Sequence, residues 1–333
     1  MQHKKKTEMF FSVSKVIKLA LFFSIYLAMS IRTHKLEDLV NTHFSPPIRA
    51  ETEHYFSSSS TVDSSALTST PAVLIPSYCD APSRNKNFDS IYLNGRWGKK
   101  LLSPSDFYGE GQWPPHAARK VSASGGGSEL GHASEMSLKI LKDTIKKYNI
   151  SSMVDVPCGD ANWIFDSFVT DSLPLYLGLD IVRPVIEVNK QRFKHHSNKI
   201  FLFWDATSCE LPRFINGKNG EQESFELVHV RDVIQHMNPL QGVQYFCNIF
   251  QSEAKVLVTT TFPEGFNRPN VKEGGAYRNN LEQDPFSFPK SDSCTPTHPK
   301  HESDMTCVYN LFEPWVKDFV ARKCPKKMDI VSQ

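Results

Sequence analysis

Met-Val-Asp-Val-Pro-Cys-Gly-Asp-Ala-Asn-Trp, residues 153–163, is the stretch that decides the fold. Apolar Met153, Val154 and Val156 run into Pro157, Cys158, Gly159 and Asp160, and helix-capable sequence follows. The stretch therefore reads as a buried strand that turns sharply into a helix. Gly159 has no Cβ, so the chain can turn tightly there and a ligand can come close to the backbone, while a helix start offers free N–H groups.

Downstream, short apolar runs alternate with amphipathic segments. The runs predict strands over 153–156, 175–179, 200–204, 227–230 and 255–261, and the segments predict helices over 161–169, 184–195 and 239–252, with Pro184 and Pro239 tolerated in first turns. Upstream, Met136, Ile140, Leu141 and Ile145 recur at helical spacing within 133–148. This alternation calls for an α/β domain built on a Rossmann-like, mostly parallel sheet with helices on both faces. Ligands of such sheets bind beyond the carboxyl ends of the strands, where strand order reverses. Those ends carry Pro157 to Asp160, Asp180, Trp204-Asp205 and Arg231-Asp232, with Gln235 and His236 a turn later. An acid closing the second strand, roughly 20 to 25 residues after the glycine turn, is placed to accept hydrogen bonds from two ribose hydroxyls, which predicts a nucleoside ligand.

Over about 125–261 the sequence resembles the class I S-adenosylmethionine-dependent methyltransferases. The resemblance rests on Asp155-Val156-Pro157-Cys158-Gly159-Asp160, on Asp180 and Asp205 at later strand ends, and on Arg231-Asp232. The Asp-x-Pro-Cys-Gly-Asp turn together with Arg-Asp-Val-Ile-Gln-His looks like the mark of a separate subgroup. The resemblance implies a seven-stranded sheet and S-adenosyl-L-methionine as cofactor. It implies that Asp155 and Gly159 border the methionine portion, Asp180 holds the ribose, Asp205 meets the adenine amino group and Trp204 lies against the ring. Asp160, Ile181 and Arg231 complete the implied cofactor set, and Gly125 to Gly127 would sit over the methionine carboxylate. Pro157 and Cys158 depart from the family's glycine-rich turn, and the absence of Gly-x-Gly-x-x-Gly here argues against a nicotinamide enzyme. Taken singly, Asp155 reads equally as a structural strand end and Asp205 as a helix cap; their recurrence at successive strand ends favours a site. The glycine run taken alone is as well explained by a flexible connector.

Methyl transfer to a hydroxyl requires a positioned acceptor and is helped by a base. His236, one helical turn past Asp232, is the first candidate for that base, and Asp232 either orients it or takes the proton itself; a structural histidine is the alternative. His229, inside a strand, reads as a core residue. Beyond the fifth strand, where this family commonly inserts acceptor-binding elements, Tyr277, Arg278 and Asn279 follow Gly274 and Gly275. They suit a sugar or a carboxylate, or else a packed surface loop. His298 and His301 lie between Cys294 and Cys307 at a spacing that matches no standard zinc pattern, so no metal is expected.

A chain of 333 residues with 40% hydrophobic content can bury a full core. Its net charge of +2 gives no electrostatic case for nucleic acid. Lys4 to Lys6 precede an uncharged apolar run over 19–31, the pattern of a secretory signal or an uncleaved signal anchor. We favour the anchor, with the domain in the lumen of the secretory pathway; the alternatives are a secreted protein and a cytosolic one. Residues 36–80, rich in Ser, Thr and Pro, read as a flexible stem, and 81–333 as the folded domain, with a cofactor core over 125–262 and an acceptor-side insertion over 263–304. The aromatic segment 88–97 is either a cover for the domain or part of a substrate lid. Cys158, Cys209 and Cys247 fall in or beside core elements, whereas Cys79, Cys294, Cys307 and Cys324 are available for disulfides of unspecified pairing. Asn149-Ile150-Ser151 is the single glycosylation sequon. The expected partners are a small-molecule or glycan acceptor and the membrane, and the rival reading is a non-catalytic methyltransferase-like binding module.

Overall fold

The computed structural model describes residues 72–75, 85–98, 122–129, 132–164, 173–216, 219–272, 274–291, 293–298 and 301–325, all within the compact unit Ala66–Gln333. In chain order the strands are β1 (Ala72–Leu74), β2 (Ser152–Asp155), β3 (Leu175–Asp180), β4 (Lys199–Phe203), β5 (Arg213–Ile215), β6 (Gln222–Glu223), β7 (Leu227–Val230), β8 (Val256–Thr261), β9 (Cys294–His298) and β10 (His301–Asn310). The helices are α1 (Asn85–Leu93), α2 (His132–Tyr148), α3 (Arg183–Arg192), α4 (Pro239–Phe250) and α5 (Pro314–Lys323). Seven strands form one mixed sheet in the order β4-β3-β2-β7-β8-β10-β9. The first five are parallel neighbours, and β10 runs antiparallel between β8 and β9. A small antiparallel sheet, β1-β5-β6, stands apart from it.

Alternation along the central strands explains why both faces are covered. Val154, Leu177, Leu179, Val228, Val230 and Leu257 point into one core with Phe246, Ile249 and Phe250 of α4 and Val316 and Phe319 of α5. Met153, Tyr176, Leu227, Val256 and Val258 point into the other, with Leu141 of α2 and Ile186 of α3. Each strand is apolar on both sides, as a parallel sheet between helical layers requires. Local chemistry fixes the helix starts. At α4, Asn238 accepts a hydrogen bond from the Gln241 N–H at 3.0 Å while the Gln241 side chain accepts from the Asn238 N–H at 3.2 Å, a complete capping box with Pro239 in the first turn. Pro184 likewise stands in the first turn of α3.

Two disulfides lie among the described residues. Cys294–Cys307 joins paired residues of β9 and β10, and Cys247–Cys324 fastens the end of α5 to α4. Cys247, expected to be a core cysteine, is therefore bonded as well as buried, and Cys158 and Cys209 are buried too; Cys79 lies outside the described residues.

Other expectations change too. The helix predicted directly after the glycine turn is a turn over 161–164, where Ala161 holds φ +48, and 165–169 lie outside the described residues. The stem predicted over 36–80 contains β1, paired with β5, while its other described residue is Ile75. The insertion expected to reach residue 304 gives way to sheet at Cys294, because β9 and β10 complete the sheet edge. The apolar run over 19–31 lies outside the described residues; among those described, no helix is long and apolar enough to cross a membrane.

Candidate active site

Strands β2, β3 and β4 step one way from the sheet centre and β7 and β8 step the other, so strand order reverses between β2 and β7. A cavity of about 380 Å³ opens at the carboxyl ends there, within the size range of small-molecule sites. Asp155, Gly159, Asp160, Asp180, Ile181, Trp204, Asp205 and Arg231, the residues expected around a cofactor, all border it, as do Asp232 and His236.

The turn after β2 is built around Gly159. Its φ is +53, and a Cβ there would stand 2.4 Å from Ser124 Oγ. The Gly159 N–H donates to Asp180 Oδ2 at 2.9 Å, the Val182 N–H donates to Oδ1 at 2.9 Å, and Asn189 donates to the Gly159 carbonyl at 2.8 Å. The Asp180 carboxylate is thus aimed by two backbone donors, with lone pairs left over for a ligand. Burial, opposed by the backbone N–H groups of Val182 and Gly159, pushes its pKa up to about 7. Burial likewise pushes the Cys158 thiol well above its ordinary range.

Three of the other carboxylates are occupied by the protein. Asp160 accepts from the Ser122 hydroxyl at 2.9 Å and the Ala123 N–H at 2.8 Å, which ties the glycine-rich segment to the turn. Asp205 accepts from Thr207 N–H and Oγ and from Ser208, so it caps its own turn. Asp155 accepts from the Tyr176 hydroxyl at 2.8 Å and from His229 Nδ1 at 2.7 Å. His229, read from sequence as a core residue, borders the cavity as well; it is 1% exposed, and its Nε2 has no partner among the described residues. A polar residue between Val228 and Val230 in a buried strand was the signal for it. The indole N–H of Trp204 is also buried without a partner beside the cavity.

Across the cavity, Arg231 donates to the Gly127 carbonyl at 2.7 Å, stands 4.6 Å over the Trp163 ring and lies 3.6 Å from Asp232. Asp232 holds φ +52, a strained setting for a residue with a side chain, and its N–H donates to Thr260. His236 sits in a 3-10 turn, Ile234–His236, not on an α-helix. Its Nδ1–H donates to the Gly275 carbonyl at 2.6 Å, so Nε2 carries the lone pair, 3.4 Å from Gln235 Nε2. Burial lowers its pKa, and Trp97 stacks on the ring at 4.4 Å. Segment 88–97 therefore supplies walls: Phe88, Tyr92 and Trp97 border the cavity, and Phe88 and Tyr92 pack with Val182 and Val185. Asp304 of β10 also borders it, its pKa raised by burial and by Asp232. Trp97 falls in the aromatic segment read as a cover or lid, whereas Asp304 carries no sequence signal for this place, since it arrives by long-range packing.

The three residues expected at the acceptor divide. Tyr277 and Arg278 line a second cavity of about 530 Å³, which shares Gln235 and Phe262 with the first. Asn279 is buried, 1% exposed, and lines neither cavity; its carbonyl accepts from the Phe262 N–H. Among the described residues no group of acids, histidines and cysteines is arranged to hold a metal.

No family model matches the sequence, and no curated protein matches it. Solved structures do. The N-methyltransferase NodS from Bradyrhizobium japonicum WM9, in complex with S-adenosyl-L-homocysteine, is 17% identical over 38% of this chain and 58% of that one, with a TM-score of 0.30. The magnesium protoporphyrin IX methyltransferase ChlM from Synechocystis PCC 6803, with bound S-adenosylmethionine, is 13% identical over 67% and 92%, at 0.42. An O-methyltransferase from a trans-AT polyketide multienzyme of Brevibacillus brevis is 13% identical over 44% and 48%, at 0.33. This chain thus spans less than two thirds of NodS and about half of the polyketide enzyme.

Proposed function

We propose that the chain is a class I S-adenosylmethionine-dependent methyltransferase acting on a hydroxyl acceptor. The observation that carries the reading is Asp180, a buried acid closing the second strand of the parallel sheet, its two oxygens fixed by the Gly159 and Val182 N–H groups in a ligand-sized cavity. The residues fit the cofactor. Asp180 suits two ribose hydroxyls, Ile181 and Trp204 supply apolar and aromatic wall, and the unpartnered Trp204 N–H can donate to the ligand. Gly159 leaves the backbone bare, and Arg231 beside Gly127 offers a cation for a carboxylate. Asp155 and Asp205 accept hydrogen bonds from the protein and so shape the site, with lone pairs remaining toward the cavity that they border.

When bound, the cofactor supplies a methyl group on an electron-poor sulfonium. His236 then serves as the base: Gly275 holds its tautomer, burial lowers its pKa, and Nε2, facing the Gln235 amide at 3.4 Å, is the atom that takes the proton of the acceptor hydroxyl once that contact gives way. Asp232, close to Arg231 at the same cavity, is the counter-charge available to the resulting imidazolium. Trp97 stacked on the ring restricts its orientation.

The proposal extends to location. A lumenal domain held by the apolar segment over 19–31 agrees with two disulfides, which persist in oxidising compartments, and with Asn149 of the sequon being exposed after α2. Secretory-pathway acceptors, glycan hydroxyls among them, belong to that setting.

Calorimetric titration of the full chain with S-adenosylhomocysteine tests the reading. Binding that Asp180→Ala abolishes is expected; no binding, or binding indifferent to that change, refutes it. Binding without transfer of labelled methyl to any lumenal product would leave the non-catalytic module standing instead.

A further inference from the structure

The second cavity has chemistry of its own. Two arginines, Arg268 and Arg278, line it, and among the described residues neither has a carboxylate within ion-pair distance. Glu264 is the acid on its lining. Phe266 is 59% exposed there, with the Arg268 guanidinium 5.0 Å over its ring. Two polar atoms of residues lining this cavity are buried and, among the described residues, unpartnered: the Tyr277 hydroxyl, on a residue only 6% exposed, and Gln235 Oε1. Burial pushes the Tyr277 pKa up to about 12, so its hydroxyl is available as a donor.

We propose that this cavity docks the methyl acceptor and selects a sugar acid, a hydroxyl-bearing ring with a carboxylate. The proposal rests on the methyltransferase reading for the word acceptor, and on the cavity's own residues for the ligand class. A guanidinium pairs with a carboxylate through two parallel hydrogen bonds, and two unneutralised guanidiniums on one wall favour an anion over a neutral sugar. The unpartnered Tyr277 and Gln235 atoms offer a donor and an acceptor to ring hydroxyls, and an exposed aromatic offers an apolar face to the sugar ring. Gln235 and Phe262 border both cavities, so a ring seated here can hold one hydroxyl at the common wall, beside His236.

The test titrates the full chain, saturated with S-adenosylhomocysteine, with sodium glucuronate, with glucose and with lactate, followed by ligand-observed NMR. Glucuronate is expected to bind in the millimolar range, with glucose and lactate each about tenfold weaker, as loss of one charge-assisted contact or of the hydroxyl contacts implies. In the double variant Arg268→Gln, Arg278→Gln, glucuronate is expected to fall to the level of glucose. Equal binding of glucuronate and glucose, equal binding of lactate and glucuronate, no glucuronate binding, or a preference that survives the double variant would each overturn the proposal. Because neither arginine borders the first cavity, S-adenosylhomocysteine binding is expected unchanged in the double variant. If the wild-type chain fails to bind S-adenosylhomocysteine but binds glucuronate selectively, the methyltransferase reading fails and the sugar-acid site stands.

Discussion

Replacing Gly159 by alanine puts a Cβ where the turn has no room for one. The residue holds φ +53, and its new Cβ would lie 2.4 Å from Ser124 Oγ and 3.2 Å from Ser124 Cβ. The left-handed backbone costs an alanine about 1–2 kcal/mol. Moving the Ser124 hydroxyl aside also weakens its bonds to Tyr92 at 2.9 Å, to the Asp160 N–H at 3.0 Å and to Asp160 Oδ1 at 3.3 Å; such bonds contribute about 1 kcal/mol each. After partial relaxation the expected loss is about 3 kcal/mol. Urea denaturation reads it as a lower midpoint at constant slope. Combining the change with Ser124→Gly removes the obstructing atoms, so the double variant should lose about 1 kcal/mol less than the sum of the single losses. Cofactor affinity should fall in Gly159→Ala, because Gly159 N–H aims Asp180. A single-variant loss under about 1 kcal/mol, or strict additivity in the cycle, would refute the claim that this turn is sterically closed to a side chain.

Burial pushes the Asp180 pKa up to about 7 in the folded chain, from an ordinary 3.8. A raised carboxyl pKa stabilises the fold fully below the unfolded value and loses that contribution as pH rises through the folded one. Stability of the ligand-free chain should therefore decline between about pH 4 and 7, by up to about 4 kcal/mol, while S-adenosylhomocysteine affinity rises through pH 7 as the carboxylate forms; affinity flat from pH 6 to 8 would refute the role. For His236, the acidic limb of kcat should inflect below pH 6.5, since burial lowers its pKa, and His236→Gln should cost about a hundredfold in kcat. A variant with unchanged kcat, or a limb above 6.5, removes it as the base. Replacing Cys247 and Cys324, 77 residues apart, by alanine should lower stability by about 4 kcal/mol; urea denaturation of that double variant measures it, and an unchanged midpoint refutes a stabilising bridge.

The central strands were legible because their residues are apolar on both faces and the turns between them carry Gly, Pro and Asp. The predicted 227–230 run coincides with β7, and 175–179 and 200–204 fall within a residue of β3 and β4 at each end. Asp180 was legible from its distance to the glycine turn. What the sequence hides is pairing across the chain. Nothing local in His229 reveals that Asp155 is its neighbour in the next strand, 74 positions away, and Ser122 gives no sign that it serves Asp160. Trp97 meets His236 through tertiary packing alone. Asn279 looked like its neighbours in the chain, but backbone geometry turns it inward while Tyr277 and Arg278 line the cavity.

Three hydrogen bonds sew the segment carrying Tyr277 to the turn carrying His236: His236 Nδ1–H to the Gly275 carbonyl, the Gly274 N–H to the His236 carbonyl and the Tyr277 N–H to the Gln235 carbonyl. On the proposed function, the strip that would choose the acceptor and the residue that would take its proton are therefore one mechanical piece. Transplanting residues 274–278 alone into a related scaffold would carry the preference without its alignment, and a random library at these positions would trade selectivity against turnover. New specificities in this fold are expected to arise by changing both strips of chain together.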